Sequence, residues 1–264
     1  MKPNRYSQIL EKVFFSHFRP GDSEVLFARE EMEQTALDLG VKLPKNLGDL
    51  IYSYRFRVPL PAAVRAAAPE GKHWVIKLAG KAKYRFSAER QWVISPREGM
   101  LRIKIPDSTP GIIARYALTD EQALLALVRY NRLVDIFTGV ASYSLQSHLR
   151  TTVTEMGQVE VDELYVGVDR RGAHYVFPLQ AKGGKDKMSG VRIEQDLALC
   201  AERFPNLICR PIGAQFLQDG GIALMEFTQT EEGLRLSAER HYQLTTPDAL
   251  SEADLEQYRQ QYET

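Results

Sequence analysis

Three carboxylates, a glutamine and a lysine stand close together in GQVEVDELYVGVDRRGAHYVFPLQAKGGKDK, residues 157–187. Alternation in VEVDELYVGV predicts a strand, Asp169-Arg-Arg-Gly172 a turn, and HYVFPLQAK a second strand. Side chains alternate along a strand, so Val159, Val161 and Glu163 fall on one face and Glu160, Asp162 and Leu164 on the other. Strict alternation therefore keeps the three acids from meeting. Gln180 and Lys182, two apart, share a face. One or two carboxylates from the first strand, with an oxygen acceptor from the second, would bind a hard divalent cation, while Lys182 would hold an attacking water or offset phosphate charge. Phosphodiester cleavage is the chemistry this set suits. The same residue types also form plain cross-strand ion pairs on the wet face of a sheet, so the order of the elements has to decide.

That order, an acid in a strand, a hairpin, acid-x-lysine in the next strand and then a helix, resembles the PD-(D/E)xK superfamily of restriction-endonuclease-like nucleases over about residues 143–227. E-V-D-E at 160–163 stands for the first acid and Q-A-K at 180–182 for the second element. Glutamine replaces the acid, as in the Q-x-K branch of modification-dependent restriction enzymes. The resemblance implies a Mg²⁺-dependent endodeoxyribonuclease in which Mn²⁺ can substitute. Asp162 would be the principal metal ligand, Glu160 or Glu163 an assisting one, Gln180 a carbonyl ligand, and Lys182 the water-positioning or charge-stabilising group. A neutral glutamine brings no charge, so Glu160 or Glu163 would supply what is missing, and an inactive pseudo-nuclease stays open as an alternative. GGKDKMSGVRIEQDLALCAERFP predicts a glycine-lysine loop and a helix from about Val191 to Arg203. In the resembled families a glutamine on that helix faces the site, and Gln195 occupies a comparable place; Lys185 and Lys187 would meet the scissile strand.

The elements before this stretch must position it. Thr119-Asp-Glu-Gln122 has the spacing of a capping box, and Leu124, Leu125, Leu127, Val128, Leu133, Val134, Ile136 and Phe137 predict one helix packed on more than one side, ended by Gly139. YSLQSHLRTTV is the candidate second helix of this middle pair and carries His148 and Arg150; His148, with no histidine partner, reads as structural. After the motif, LICRPIGAQF, GGIALMEFTQ and LRLSAERHYQL predict core and closing strands, and the acidic TPDALSEADLEQYRQQYET a helix or frayed tail.

Charge divides the chain. Residues 1–110 hold 19 Lys+Arg against 12 Asp+Glu, and residues 111–264 hold 15 against 22, although the whole is neutral. A basic half that grips a polyanion and an acidic half that holds metal would show this asymmetry. Ile9, Leu10, Val13, Phe14 and Phe18 predict an amphipathic helix stopped by Pro20-Gly21; Met32, Ala36 and Leu37 a second, ended by Gly40; and Leu47, Leu50 and Ile51 a third after Pro44. The third leaves Lys45, Asn46, Asp49, Tyr52, Ser53 and Arg55 outward, able to reach phosphates and base edges. HWVIKLAGKAKYRFSAE then predicts a β-hairpin whose Lys77, Lys81, Lys83 and Arg85 would neutralise backbone phosphates. Helix-turn-helix followed by a hairpin reads as a winged-helix-like module.

The expected fold is therefore α+β: residues 1–110 a winged-helix-like DNA-binding domain and residues 111–264 a restriction-endonuclease-like α/β/α nuclease core with a mixed sheet. Cys200 and Cys209 lack zinc-site spacing, and no run of about 18 apolar residues occurs. Secretion and membrane spanning are disfavoured, and a cytoplasmic protein whose partner is DNA is expected. A homodimer, or two successive nicks, would cut both strands. The alternatives are a non-catalytic DNA-binding regulator on a degenerate nuclease fold and a structure-specific nuclease of branched DNA or RNA.

Overall fold

The computed structural model describes residues 5–44, 47–56, 58–90, 93–116, 120–154, 156–184, 186–230 and 233–262. Two compact units result, residues 1–92 with 152–157 and residues 93–151 with 158–264. The division falls at 92/93, earlier than the expected 110/111, because a strand at residues 102–106 pairs into the second unit's sheet. Redrawn this way, the first unit holds 16 Lys+Arg against 11 Asp+Glu and the second 18 against 23, so the opposition of charge persists.

In the first unit, α1 (Arg5–His17) is followed by β1 (Glu24–Ala28), α2 (Arg29–Asp38), α3 (Leu47–Phe56), α4 (Ala62–Ala66), β2 (Lys72–Leu78) and β3 (Lys83–Arg90). Ile9, Leu10, Val13 and Phe14 are buried at helical spacing, and Phe14 packs edge-on against Trp74 and Phe86, each at 5.1 Å between ring centroids. The Glu31 carboxylate starts α2 by accepting from Ala28 N–H at 2.7 Å. Leu37, expected on the inner side of α2, is 75% exposed; the buried stripe there is only Met32 and Ala36. The expected hairpin is β2–β3, and β1, absent from the sequence reading, adds to it as a three-stranded antiparallel sheet of order β1-β3-β2. Val25 and Phe27 point inward from β1.

The second unit contains β4 (Val93–Ile94), β5 (Arg102–Pro106), α5 (Gly111–Tyr116), α6 (Glu121–Tyr130), α7 (Leu133–Thr138), β6 (Ala141–Val153), β7 (Gly157–Val168) and β8 (His174–Lys182). It continues through β9 (Met188–Ser189), α8 (Gly190–Arg203), β10 (Ile208–Cys209), β11 (Ile212–Phe216), β12 (Ile222–Thr230), β13 (Gly233–Thr245) and α9 (Glu252–Tyr262). A mixed eight-stranded sheet runs β5-β13-β12-β11-β8-β7-β6, with β10 also paired to β8. β8 and β11 are parallel neighbours joined through α8, which a parallel pair requires, whereas β7 and β8 form an antiparallel hairpin. Asp169 closes that hairpin by accepting from the N–H groups of Arg171 and Ala173, both at 2.9 Å.

Two expectations about the middle segment are overturned. The single leucine-rich helix is two helices, because Asn131 leaves the helical path and Arg132 takes a left-handed φ of 50°. Asn131 instead uses its buried amide, accepting from Ser108 N–H at 2.7 Å and donating to Thr109 Oγ1 at 2.9 Å. Its α6 half starts at Asp120, whose carboxylate accepts from Ala123 N–H at 2.9 Å; Thr119 lies outside the described residues. YSLQSHLRTTV is not a helix but most of β6, beside β7 at the sheet edge. Its β-branched end and exposed polar residues suit an edge strand. The acidic tail forms α9, docked by a Lys104–Asp254 ion pair at 2.8 Å and by Lys104 N–H donating to Tyr258 Oη at 2.9 Å. Among the described residues no helix is long and apolar enough to cross a membrane.

Candidate active site

β8 divides its side chains between two layers. Phe177, Leu179 and Ala181 join the core formed with Leu124, Leu125 and Val128 of α6, whereas Val176 packs with Leu164 and Cys200 on the α8 side. Alternation therefore turns Gln180 toward the α8 face, whereas Lys182, the last residue of β8, ends against Glu121 of α6. Gln180 is fully buried there, its Nε2 donating to both carboxylate oxygens of Asp196 on α8 at 2.9 and 3.1 Å and to the Glu160 carbonyl at 3.1 Å. Its Oε1 is buried without a hydrogen-bond partner.

Asp162, 9% exposed, lies on β7 beside this pair, and Ala181 N–H donates to its Oδ2 at 2.8 Å. A side chain thus takes a backbone donor at the end of the hairpin where the β7–β8 register runs as far as Glu163↔Leu179. Burial pushes the Asp162 carboxyl above the usual carboxylate range; the Ala181 N–H and the Lys182 and Arg192 charges oppose this, and Glu121 adds to it. Asp196 is pushed well above that range by burial, with Gln180 opposing and Asp162 adding to the shift. The Lys182 ammonium pairs with Glu121 in the first turn of α6. Asp162, Gln180, Lys182, Asp196 and Glu121 thus form one constellation.

The other expected acids are drawn elsewhere. Glu163 is fully buried on the α6 face, where Arg129 Nε donates to its Oε1 at 2.8 Å. The Glu160 side chain accepts from Arg150 on β6, at 3.1 Å from Nε and 2.9 Å from Nη2. Each acid has found an arginine on a neighbouring element, so neither supplies charge beside Asp162 in this structure. Gln195 is buried on α8 and its Nε2 has no hydrogen-bond partner. Lys187 is exposed in the loop after β8, and Lys185 lies outside the described residues.

Asp196 and Glu121 are the members that sequence reasoning missed. A signal existed for Asp196, which occupies the buried stripe Ile193, Asp196, Leu199 and Cys200 of an amphipathic helix, a place where an unpaired carboxylate is costly. Glu121 was hidden within a helix start, where acids are ordinary.

In the first unit, Tyr52, Ser53 and Arg55 are half-buried along α3, and Lys45 and Asn46 lie outside the described residues. Lys81 and Lys83 are exposed at the β2–β3 turn, which Gly80 and Ala82 make with φ of 117° and 57°. Lys77 and Arg85 are instead paired within the sheet, Lys77 with Glu89 at 2.5 Å and Arg85 with Glu24 at 3.4 Å.

The residues present fit a hard divalent cation in kind: a carboxylate at Asp162, a buried amide oxygen lacking a donor at Gln180, and further carboxyl groups at Glu121 and Asp196. Among the described residues, no group of three or more His, Cys, Asp or Glu is arranged to hold a metal, so a site here would have to draw on the amide carbonyl. No protein-family model, curated protein or solved structure matches the chain.

Proposed function

We propose that the protein is a metal-dependent DNA endonuclease of the restriction-endonuclease-like kind, with a winged-helix-like module in its first unit. The observation that carries this reading is the buried, unpartnered Gln180 Oε1 on a strand whose neighbour β7 carries the buried Asp162. A buried carbonyl oxygen without a donor is costly, and an electropositive ligand removes that cost. Asp162 and Gln180 would hold Mg²⁺ or Mn²⁺, while Glu121, like Glu160 and Glu163, is already paired with a cation of the chain, in its case Lys182. The cation would polarise a phosphoryl oxygen and lower the pKa of a bound water.

The chain's own residues do the remainder. Asp162 is oriented by the Ala181 N–H, so its carboxylate is preset rather than mobile. Lys182, held by Glu121, would stabilise charge on the phosphate or position the water. In the first unit, the order helix, strand, three helices, strand, strand with sheet β1-β3-β2 supports a winged-helix reading with the short α4 added before the hairpin, in which α3 presents Tyr52, Ser53 and Arg55 to DNA and the β2–β3 turn presents Lys81 and Lys83. Lys187, exposed in the loop after β8, would contact the scissile strand.

The second reading is a DNA-binding regulator on a degenerate nuclease core, favoured by the diversion of Glu160 and Glu163 into ion pairs. Incubating the protein with methylated and unmethylated plasmid, in Mg²⁺ and in EDTA, separates the two. Nicking or linearisation that needs metal supports the nuclease; binding without cleavage under every condition supports the regulator. Preferential cutting of branched DNA or RNA over duplex would redirect the reading to a structure-specific nuclease.

A further inference from the structure

We infer that Asp196 is a positioning residue, which clamps the Gln180 amide in the one orientation that leaves its carbonyl oxygen buried and unpartnered. This rests on the proposed metal site for its purpose, though not for its geometry. A primary amide has two N–H donors and one carbonyl acceptor. Here both donors are used: Gln180 Nε2 lies 3.1 Å from the Glu160 carbonyl and 2.9 and 3.1 Å from the two Asp196 oxygens. Flipping the amide would set Gln180 Oε1 against the Glu160 carbonyl and at least one Asp196 oxygen that carries no proton, so the orientation is determined by these neighbours.

Packing alone does not account for an acid at this position. Asp196 is fully buried on the stripe that α8 turns inward with Ile193, Leu199 and Cys200, where an apolar side chain would fill the space without desolvating a carboxyl group. The hydrogen bond to Gln180 is what the acid contributes that an apolar residue cannot. An outer group that holds a ligand's donor side leaves its acceptor side aimed and immobile, which is how metal ligands are commonly oriented. The neutral glutamine at the position of the superfamily's acid then has a physical requirement of its own: unlike a carboxylate, it must be told which end to present.

Side-chain amide NMR and Mn²⁺ titration of the full chain test the clamp. The Gln180 NH₂ pair, assigned by its loss in Gln180→Leu, should exchange slowly with solvent in the wild type. In Asp196→Leu, of the same branched shape though larger, that protection should be lost and Mn²⁺ affinity should fall by about 10-fold or more. Asp196→Asn keeps an acceptor oxygen and should retain the protected pair, with Mn²⁺ affinity within about 3-fold. An unchanged amide signal and affinity in a folded Asp196→Leu variant overturns the inference, as does an Asn variant that behaves like Leu. Should Asp196→Leu fail to fold, rapid exchange of the Gln180 pair in the wild type overturns it, and slow exchange retained in Asp196→Asn supports it. A protected pair in a wild type that binds no Mn²⁺ supports the clamp and rejects the metal site, so the two failures are distinct.

Discussion

Asp162 and Glu163 are adjacent in the chain yet serve opposite layers of the sheet: Ala181 N–H donates to Asp162 at 2.8 Å near α8, whereas Arg129 of α6 donates to Glu163 at 2.8 Å. One is placed beside Gln180 and Lys182, and the other is a structural ion-pair member.

The two acids should therefore fail differently. Asp162→Asn keeps an acceptor for Ala181 N–H, so its melting temperature should hardly move, while Mg²⁺-dependent plasmid cleavage falls by about 100-fold or more. Glu163→Gln should cleave within about threefold of wild type but lose roughly 1–2 kcal/mol of stability, a figure discounted because Arg129 is only partly buried. Cleavage rates and denaturant melts of both variants check this, and equal loss of cleavage in the two would count against the site.

Restoring an acid at Gln180 should not strengthen the site by itself. Gln180→Glu would set a second carboxyl against Asp196 and the Glu160 carbonyl, where the amide now donates. Two carboxyls this close share a proton rather than both ionising, so the new carboxyl is tied to Asp196 instead of being a free anionic ligand. Mn²⁺ titration should show no gain for Gln180→Glu and a gain of about 10-fold for Gln180→Glu/Asp196→Asn, in which the Asn amide can donate to the new carboxylate. A gain in the single variant would mean that Asp196 is not the controlling neighbour.

The hairpin cations should divide into two classes. Lys81 and Lys83 are exposed at the hairpin turn, whereas Lys77 and Arg85 are engaged by Glu89 and Glu24. Replacing Lys81 and Lys83 with Gln should weaken binding to all DNA sequences and reduce the slope of log affinity against log salt by about 2, since each phosphate contact releases roughly one counterion. Replacing Lys77 and Arg85 should reduce it by less than about 1. Fluorescence anisotropy in Ca²⁺ at several salt concentrations measures both, and an unchanged slope in the Lys81/Lys83 variant removes the hairpin from the DNA interface.

Acid should release α9 before the sheet. The Asp254 carboxyl is held down to about 2 by Lys104 first and then by Ser251. Its folded pKa lies below the ordinary 3.8, so its contribution is complete above that value and disappears as pH falls through about 2. Amide hydrogen exchange at residues 252–262 should accelerate across that window, and Asp254→Asn should show the fast exchange already at neutral pH. Protection of α9 in Asp254→Asn equal to wild type would assign the docking to Tyr258 alone.

Local periodicity made much of the fold legible. Ile9, Leu10, Val13 and Phe14 specify α1 at 3.6-residue spacing, Trp74–Leu78 and Tyr84–Phe86 specify the hairpin, and the turn at Asp169–Gly172 separates two strands, because each pattern needs only neighbours within one turn or one pleat. Where periodicity is ambiguous, tertiary pairing decides the element. YSLQSHLRTTV carries no decisive period and became an edge strand through pairing with β7, and the leucine run broke at Asn131 because that side chain has polar partners in residues 108–109. The residue types of the site were visible in E-V-D-E and Q-A-K, and alternation already separated Glu163 from Asp162. Which acids remain beside Asp162 was not decided locally. Arg150 claims Glu160, Arg129 claims Glu163, and Asp196 and Glu121 arrive from helices 16 and 61 residues away from Gln180 and Lys182 respectively. The sequence by itself determined the helical and strand periods and the chemistry available; only the tertiary structure decided which charges meet, because a carboxylate's partner is set by strand register and helix packing rather than by its neighbours in the chain.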